Sequence, residues 1–251
     1  MSKIRVISRM DIKGPNLIKS IQFEGLKIIG DPNEYALKYY KEGIDEIFIL
    51  DTVATLYGRN NLSDIIRNAA KNIFVPITAG GGVRSIDDVQ NLLNSGADKI
   101  AINTQAIKSP NFINEASRIY GSQAIIGSIE AKKKDTFWEA YIDNGREETG
   151  VDALNWAKEL ESRGAGELLI TSIDKDGTKT GFDEELIQII SNSVSIPVIS
   201  SGGAGNLKNI ISLCNKTETS GIAIASILHY QDYTIKQIKE NMIKNNINVR
   251  K

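Results

Sequence analysis

Short runs rich in valine and isoleucine alternate along this chain with segments of helical period. The runs that predict strands are Ile4–Met10, Glu46–Leu50, Val75–Thr78, Lys99–Ile102, Ala124–Ile129, Glu167–Thr171, Val198–Ser200 and Gly221–Ala225. Between them lie amphipathic segments at Glu34–Glu42, Leu62–Ala70, Ile86–Leu93, Asn111–Ile119, Val151–Glu161, Glu184–Ile190, Leu207–Leu213 and Tyr233–Ile243. Helix-start signals support several of these, such as Ser85 followed by Asp87 and Asp88, and Asp183 before Glu184 and Glu185. The strands are apolar throughout rather than alternating, which means burial on both faces, as in a parallel sheet. Eight strand–helix pairs in about 250 residues fit a (β/α)₈ barrel. An open doubly wound sheet is the competing architecture. Phe137–Ile142, Asn144-Gly145 and Glu147–Thr149 predict a small hairpin inserted after the fifth strand.

The chain also repeats itself after about 120 residues. Ala79-Gly80-Gly81-Gly82 returns as Ser200-Ser201-Gly202-Gly203, Lys99-Ile100-Ala101-Ile102 as Gly221-Ile222-Ala223-Ile224, and Asp11 as Glu130. A unit this long suits a duplicated half-domain rather than a solenoid repeat. The expectation is one barrel domain over residues 1–251, in two half-barrels of about 1–121 and 122–251. An open sheet gives no natural reason for such symmetry.

Composition narrows the chemistry. Thirty basic residues balance 31 acidic ones, so no long-range field draws the chain to nucleic acid, and phosphate binding must be local. No stretch approaches the roughly 20 apolar residues of a membrane span. The one cysteine, Cys214, cannot form an intrachain disulfide and points to a reducing compartment; it reads as a buried thiol. The chain is therefore expected to be cytoplasmic. A single histidine, His229, excludes multi-histidine zinc sites and disfavours a Ser-His-Asp triad; it reads as a packed or capping residue. Nothing in the sequence calls for a metal or redox cofactor.

Chemistry in such barrels sits where the strands end. Gly80-Gly81-Gly82 follows the third strand and Gly202-Gly203-Ala204-Gly205 the seventh. Glycine lets the backbone approach an anion and offer its N–H groups. Asn103-Thr104 and Ala225-Ser226 end the neighbouring strands, and Asp176-Gly177-Thr178 closes the second cluster. Two such clusters in equivalent places predict two phosphate sites, and an elongated ligand with a phosphate at each end. Asp11 and Glu130 follow strands one and five, which face each other, and are expected to point into the mouth between those sites as an acid–base pair. Asp51 and Asp174 belong to the same rim. At the opposite face, Arg5, Glu46, Lys99 and Glu167 stand at the strand entrances, where unpaired charge is costly. They can form a structural salt-bridge ring or a gate for a small neutral molecule, and the pattern leaves both open.

These residues resemble the cyclase subunit of imidazole glycerol phosphate synthase, the HisF family. The resemblance runs from about Arg5 to Arg250 and is most specific at Ala79–Val83, Gly96–Thr104, Arg163–Glu167, Thr171–Thr178 and Ser201–Gly205. It implies a barrel that takes ammonia from a glutaminase partner (HisH-like) docked on its N-terminal face. The ammonia reacts with a bis-phosphorylated ribulosyl formimino-aminoimidazole carboxamide ribotide. The products are imidazole glycerol phosphate and aminoimidazole carboxamide ribotide. In that scheme Asp11 is a general acid or base and Lys19 belongs to a mobile first loop. The ring of Arg5, Glu46, Lys99 and Glu167 corresponds to the ammonia gate. Gly81, Gly82, Asn103 and Thr104 correspond to one phosphate site; Thr171, Asp176, Gly177, Gly202, Gly203, Ala225 and Ser226 to the other.

The departures from the family cluster at the reaction centre. Glu130 stands where aspartate is usual, Arg9-Met10 where Cys-Leu is usual, and Lys13–Ser20 replaces a Lys-Asp-Gly-Arg type turn. One extra methylene displaces the second acid by roughly 1.5 Å, and misplacements of about 1 Å can cost about 100-fold in rate. The alternative expectation is a paralogue that conducts ammonia to a sugar amidotransferase making acetamidino sugars.

Overall fold

The computed structural model describes residues 3–53 and 62–250. Twelve strands form one sheet. Eight of them close a parallel barrel: β1 (Arg5–Lys13), β4 (Glu46–Asp51), β5 (Ile77–Gly80), β6 (Lys99–Ile102), β7 (Ile125–Lys133), β10 (Glu167–Ser172), β11 (Val198–Ser201) and β12 (Gly221–Ile224). Pairing of Arg5–Ser8 with Gly221–Ile224 brings β12 back to β1 and closes the ring. The open-sheet alternative is thereby excluded.

The strands are apolar throughout because each faces two cores. Outward residues such as Val6, Ile47, Ile100 and Leu168 pack under the helices. Inward residues Ile7, Phe48, Ala101, Ile126, Leu169, Ile199 and Ala223 form a separate plug inside the barrel. Full burial of side chains like Ile7 and Phe48 contributes about 2 kcal/mol each. The helices begin where the capping signals place them. Ser85 and Asp88 form a reciprocal capping box ahead of Ile86–Asn94, and the Asp183 carboxylate accepts the Leu186 N–H at the start of Glu184–Ser191.

Two antiparallel hairpins rise from the rim. The expected one, β8 (Trp138–Ile142) with β9 (Glu147–Asp152), extends β7 through the pairing of Glu130 with Tyr141. A second, β2 (Asn16–Ile21) with β3 (Glu24–Gly30), extends β1 through the pairing of Asp11 with Ile18. The sequence reading places Lys13–Ser20 and Lys19 in a first loop, whereas Lys19 lies within the strand Asn16–Ile21. The hairpin's turn uses Gln22 and Phe23 at positive φ instead of Asn-Gly, so the usual hairpin signature is absent. The strain there is offset by burial of the Phe23 ring against Tyr141 and Ile173. The first and fifth barrel strands therefore each carry an acid at the root of a hairpin. Among the described residues, no helix is long and apolar enough to cross a membrane.

Candidate active site

Alternation along β1 sends Arg5, Ile7, Arg9 and Asp11 into the barrel in turn. At the N-terminal end, Arg5 pairs with Glu46 (2.8 Å) and with Glu167, and Lys99 pairs with Glu46 (3.0 Å) and Glu167 (2.9 Å). The four residues close a ring of alternating charge, and Thr78 donates its hydroxyl to the Glu46 carboxylate at 2.9 Å. Glu46 is 1% exposed, so its charge depends wholly on these partners. The apolar plug lies directly above.

At the C-terminal rim a cavity of about 420 Å³ opens on the β4–β7 side. Asp51, Gly81, Gly82, Asn103, Thr104 and Glu130 all line it. Gly81 has φ +93°, and a Cβ there would overlap the Asp51 carbonyl oxygen, so this turn requires glycine. Asn103 precedes the short helix Thr104–Lys108, and its amide donates to Glu130 at 3.1 Å. Asp51 accepts the Val53 N–H at 2.9 Å. Arg84 and Lys108 also line this cavity. Neither cation figures among the sequence-predicted site residues, although Arg84 lies two residues after the glycine turn.

The second glycine cluster is covered. Lys19, on β2, is 3% exposed and pairs with Asp176 at 2.8 Å. Gln22 N–H donates to the Asp176 carbonyl, and the Ser20 carbonyl occupies the space a side chain at Gly177 would need. Gly202 and Gly203 have positive φ, the Gly203 carbonyl accepts from Gly181, and Ala225 leads into the helix Ser226–His229. Asp174 accepts the Lys133 N–H at 2.8 Å, which braces the loop. The two halves are thus alike in backbone and unlike in access.

The acids do not share one open cavity, contrary to the expectation that both would point into the mouth. Glu130 lines the cavity, whereas Asp11 is 2% exposed beneath Arg9 and Lys19. Arg9 Nε donates to Asp11 at 3.0 Å, and its Nη1 donates to Thr171 at 2.8 Å and to Ser201 at 3.2 Å. Lys19 Nζ lies 4.0 Å from the other Asp11 oxygen. The environments push the two acids apart. Burial raises Glu130 to about 7, with Asp11 and Asp176 adding to the rise against the Arg9 charge and the Gly145 N–H. Burial acts on Asp11 as well, but Arg9 and then Lys19 overcome it and hold that carboxyl below its usual range. Arg9 entered the sequence reading solely as a departure from a family pattern. The inward period of Arg5, Ile7, Arg9 and Asp11 was the signal that could have placed it in the site.

Cys214 lies partly buried on the helix Leu207–Lys216, and burial pushes its thiol up to about 12. His229 is packed against Tyr39, whose hydroxyl lies 2.7 Å from Nδ1, and burial lowers its pKa to about 4.

Fold and polar groups together put the chain in the class of (β/α)₈-barrel enzymes that work at the C-terminal rim. A family model described as histidine biosynthesis protein matches residues 5–234. The imidazole glycerol phosphate synthase subunit HisF of Legionella pneumophila is 56% identical over 209 residues, which cover 83% of this chain and 99% of the relative. The HisF subunit of a Hydrogenobaculum species is 46% identical over 98% of each chain. That of Endomicrobium trichonymphae is 45% identical over 100% of this chain and 96% of its own. The chain belongs to the HisF group of the histidine biosynthesis family.

Proposed function

We propose that the chain is the cyclase subunit of an imidazole glycerol phosphate synthase. It uses ammonia to convert a bis-phosphorylated ribulosyl formimino-aminoimidazole carboxamide ribotide into imidazole glycerol phosphate and aminoimidazole carboxamide ribotide. The observation that carries this reading is the pair of buried acids at the roots of the two rim hairpins, Asp11 held by Arg9 and Glu130 lining the open cavity, in surroundings that push their proton affinities apart. One acid that keeps its proton near neutrality and one that does not are what a coupled proton donation and abstraction require. Asp11 acts as the base and Glu130 as the acid. Gly81, Gly82, Asn103 and Thr104 take one phosphate, with Arg84 and Lys108 adding charge. Thr171, Asp176, Gly177, Gly202, Gly203, Ala225 and Ser226 form the second anion site, which Lys19 completes or releases as the β2–β3 hairpin moves. Asp51 orients the ligand.

Ammonia enters through the ring of Arg5, Glu46, Lys99 and Glu167 from a glutaminase subunit docked on the N-terminal face. Phe74, 79% exposed beside Tyr40 in the loop before β5, suits such a docked surface. We read the chain as one domain of two half-barrels joined near residue 121, working in the cytoplasm. Supplying the purified chain with the ribotide and an ammonium salt tests the proposal. Formation of both products is expected; a folded, inactive chain overturns it. A second reading, in which the barrel passes ammonia to a sugar amidotransferase, draws on the departures at Arg9 and Glu130. Restoration of turnover by Glu130→Asp in an otherwise inactive chain favours that reading.

A further inference from the structure

The Arg9 side chain starts on β1 and ends on hydrogen bonds to Thr171 of β10 and Ser201 of β11. In the barrel order β1-β12-β11-β10 it therefore reaches over β12 and spans the lumen just above the apolar plug. It is 3% exposed, and the Phe23 ring of the first hairpin lies 5.6 Å from its guanidinium carbon. Arg9 is also the residue that β1 contributes to the open cavity, whereas Asp11 is shut off behind it.

We propose that Arg9 is a positioning residue: its guanidinium fixes the Asp11 carboxylate to one wall of the mouth and divides the lumen, so that the open cavity lies on the side of Glu130. The inference rests on the cyclase reading for its kinetic test and on geometry for the rest. The Asp11 carboxylate has one oxygen on Arg9 Nε and the other without a hydrogen-bond partner. The Arg9 bond is therefore the one hydrogen bond that orients it, with the Lys19 ammonium 4.0 Å from the other oxygen. Thr171 and Ser201 hold the far end of the guanidinium, so the three contacts act as a strut. The charged and titratable groups facing Asp11 are Arg9 from β1, Lys19 from β2, with Asp176 behind Lys19, His229 from the helix Ser226–His229, and Glu130 from β7 across the mouth. Of these, Arg9 makes the shortest contact with the carboxylate.

Arg9→Met keeps an unbranched stem to about the position of Nε and removes the guanidinium and its charge. The expected loss in kcat at fixed un-ionised ammonia is about 100-fold, the cost of a misplaced catalytic group, with KM for the bis-phosphate nearly unchanged. The Asp11 titration midpoint, followed by carboxyl-carbon NMR and assigned with Asp11→Asn, should rise by about one pH unit or more. Arg9→Lys should keep the midpoint within about half a unit of wild type while recovering part of the rate. It also decides the matter should Arg9→Met fail to fold, because a kcat for Arg9→Lys equal to wild type would show that the strut is dispensable. An unmoved Asp11 midpoint in Arg9→Met, or a loss confined to KM, overturns the inference. If the wild-type chain does not turn over the ribotide, the cyclase reading fails by itself, and the NMR titration still tests the role of Arg9.

Discussion

Glu130→Gln should make the protein more stable in neutral and alkaline solution while destroying its activity. Burial raises the Glu130 carboxyl from 4.5 to about 7. The folded chain keeps this proton between those values, whereas the unfolded chain has already released it. Stability is therefore complete below about pH 4.5 and declines as pH rises to about 7, after which it levels off. A shift of this size corresponds to at most about 3 kcal/mol at 1.36 kcal/mol per unit. The amide of a glutamine carries no charge to desolvate, and its oxygen can still accept from Asn103, which now donates at 3.1 Å. At pH 8 the variant should unfold about 8 °C higher than wild type, given a few degrees per kcal/mol for a chain of this size. At pH 4 the two should unfold together. Differential scanning calorimetry at both pH values, with urea melts as a check, measures this. An equal gain at pH 4 and pH 8, or no gain at pH 8, would refute a carboxyl raised by burial. Turnover should fall by about 10²- to 10⁴-fold, the usual contribution of one acid–base group.

Other expectations follow from single sites. Arg5→Met leaves Glu46 and Glu167 with Lys99 as their remaining cation in the ring; it should cost about 3 kcal/mol in chemical denaturation, the penalty of half a broken buried pair. Gly81→Ala would overlap the Asp51 carbonyl at a positive φ, so it should lower stability by about 1–3 kcal/mol and weaken inorganic phosphate binding measured by calorimetry. Phe23→Ala removes the ring that packs the first hairpin on Tyr141 and Ile173, and limited proteolysis should then cut within residues 16–30 faster than in wild type. Cys214, with its thiol pushed up to about 12, should resist a thiol reagent at pH 8 in the native chain and react once the chain is unfolded in urea.

The barrel was legible because the barrel strands contain apolar runs and amphipathic helices follow them, several with side-chain caps. The floor was legible too, since Arg5, Glu46, Lys99 and Glu167 each begin a buried strand, where a charge must find a partner. Boundaries moved where backbone pairing outran hydrophobicity. The third barrel strand begins at Ile77 rather than Val75, and β1 continues to Lys13 because β2 pairs with its end. The β2–β3 hairpin was hidden by a turn that uses Gln22 and Phe23 in a conformation glycine or asparagine normally supplies. The strut of Arg9 was hidden for a different reason. Its partners Thr171 and Ser201 lie 162 and 192 residues away, and no local pattern announces a contact across a barrel. The difference in access between the two glycine clusters has the same origin, because it depends on where Lys19 comes to rest.

The pH profile of ammonia-dependent turnover, taken at constant un-ionised ammonia, tests the division of labour between the two acids most directly. With Glu130 as the protonated acid and Asp11 ionised throughout, the wild-type rate should fall as pH rises through about 7, with no acid limb above pH 5. Glu130→Gln should leave a low, flat profile over the same range. A wild-type rate that climbs through pH 7, or a descending limb that survives in Glu130→Gln, would contradict the assignment.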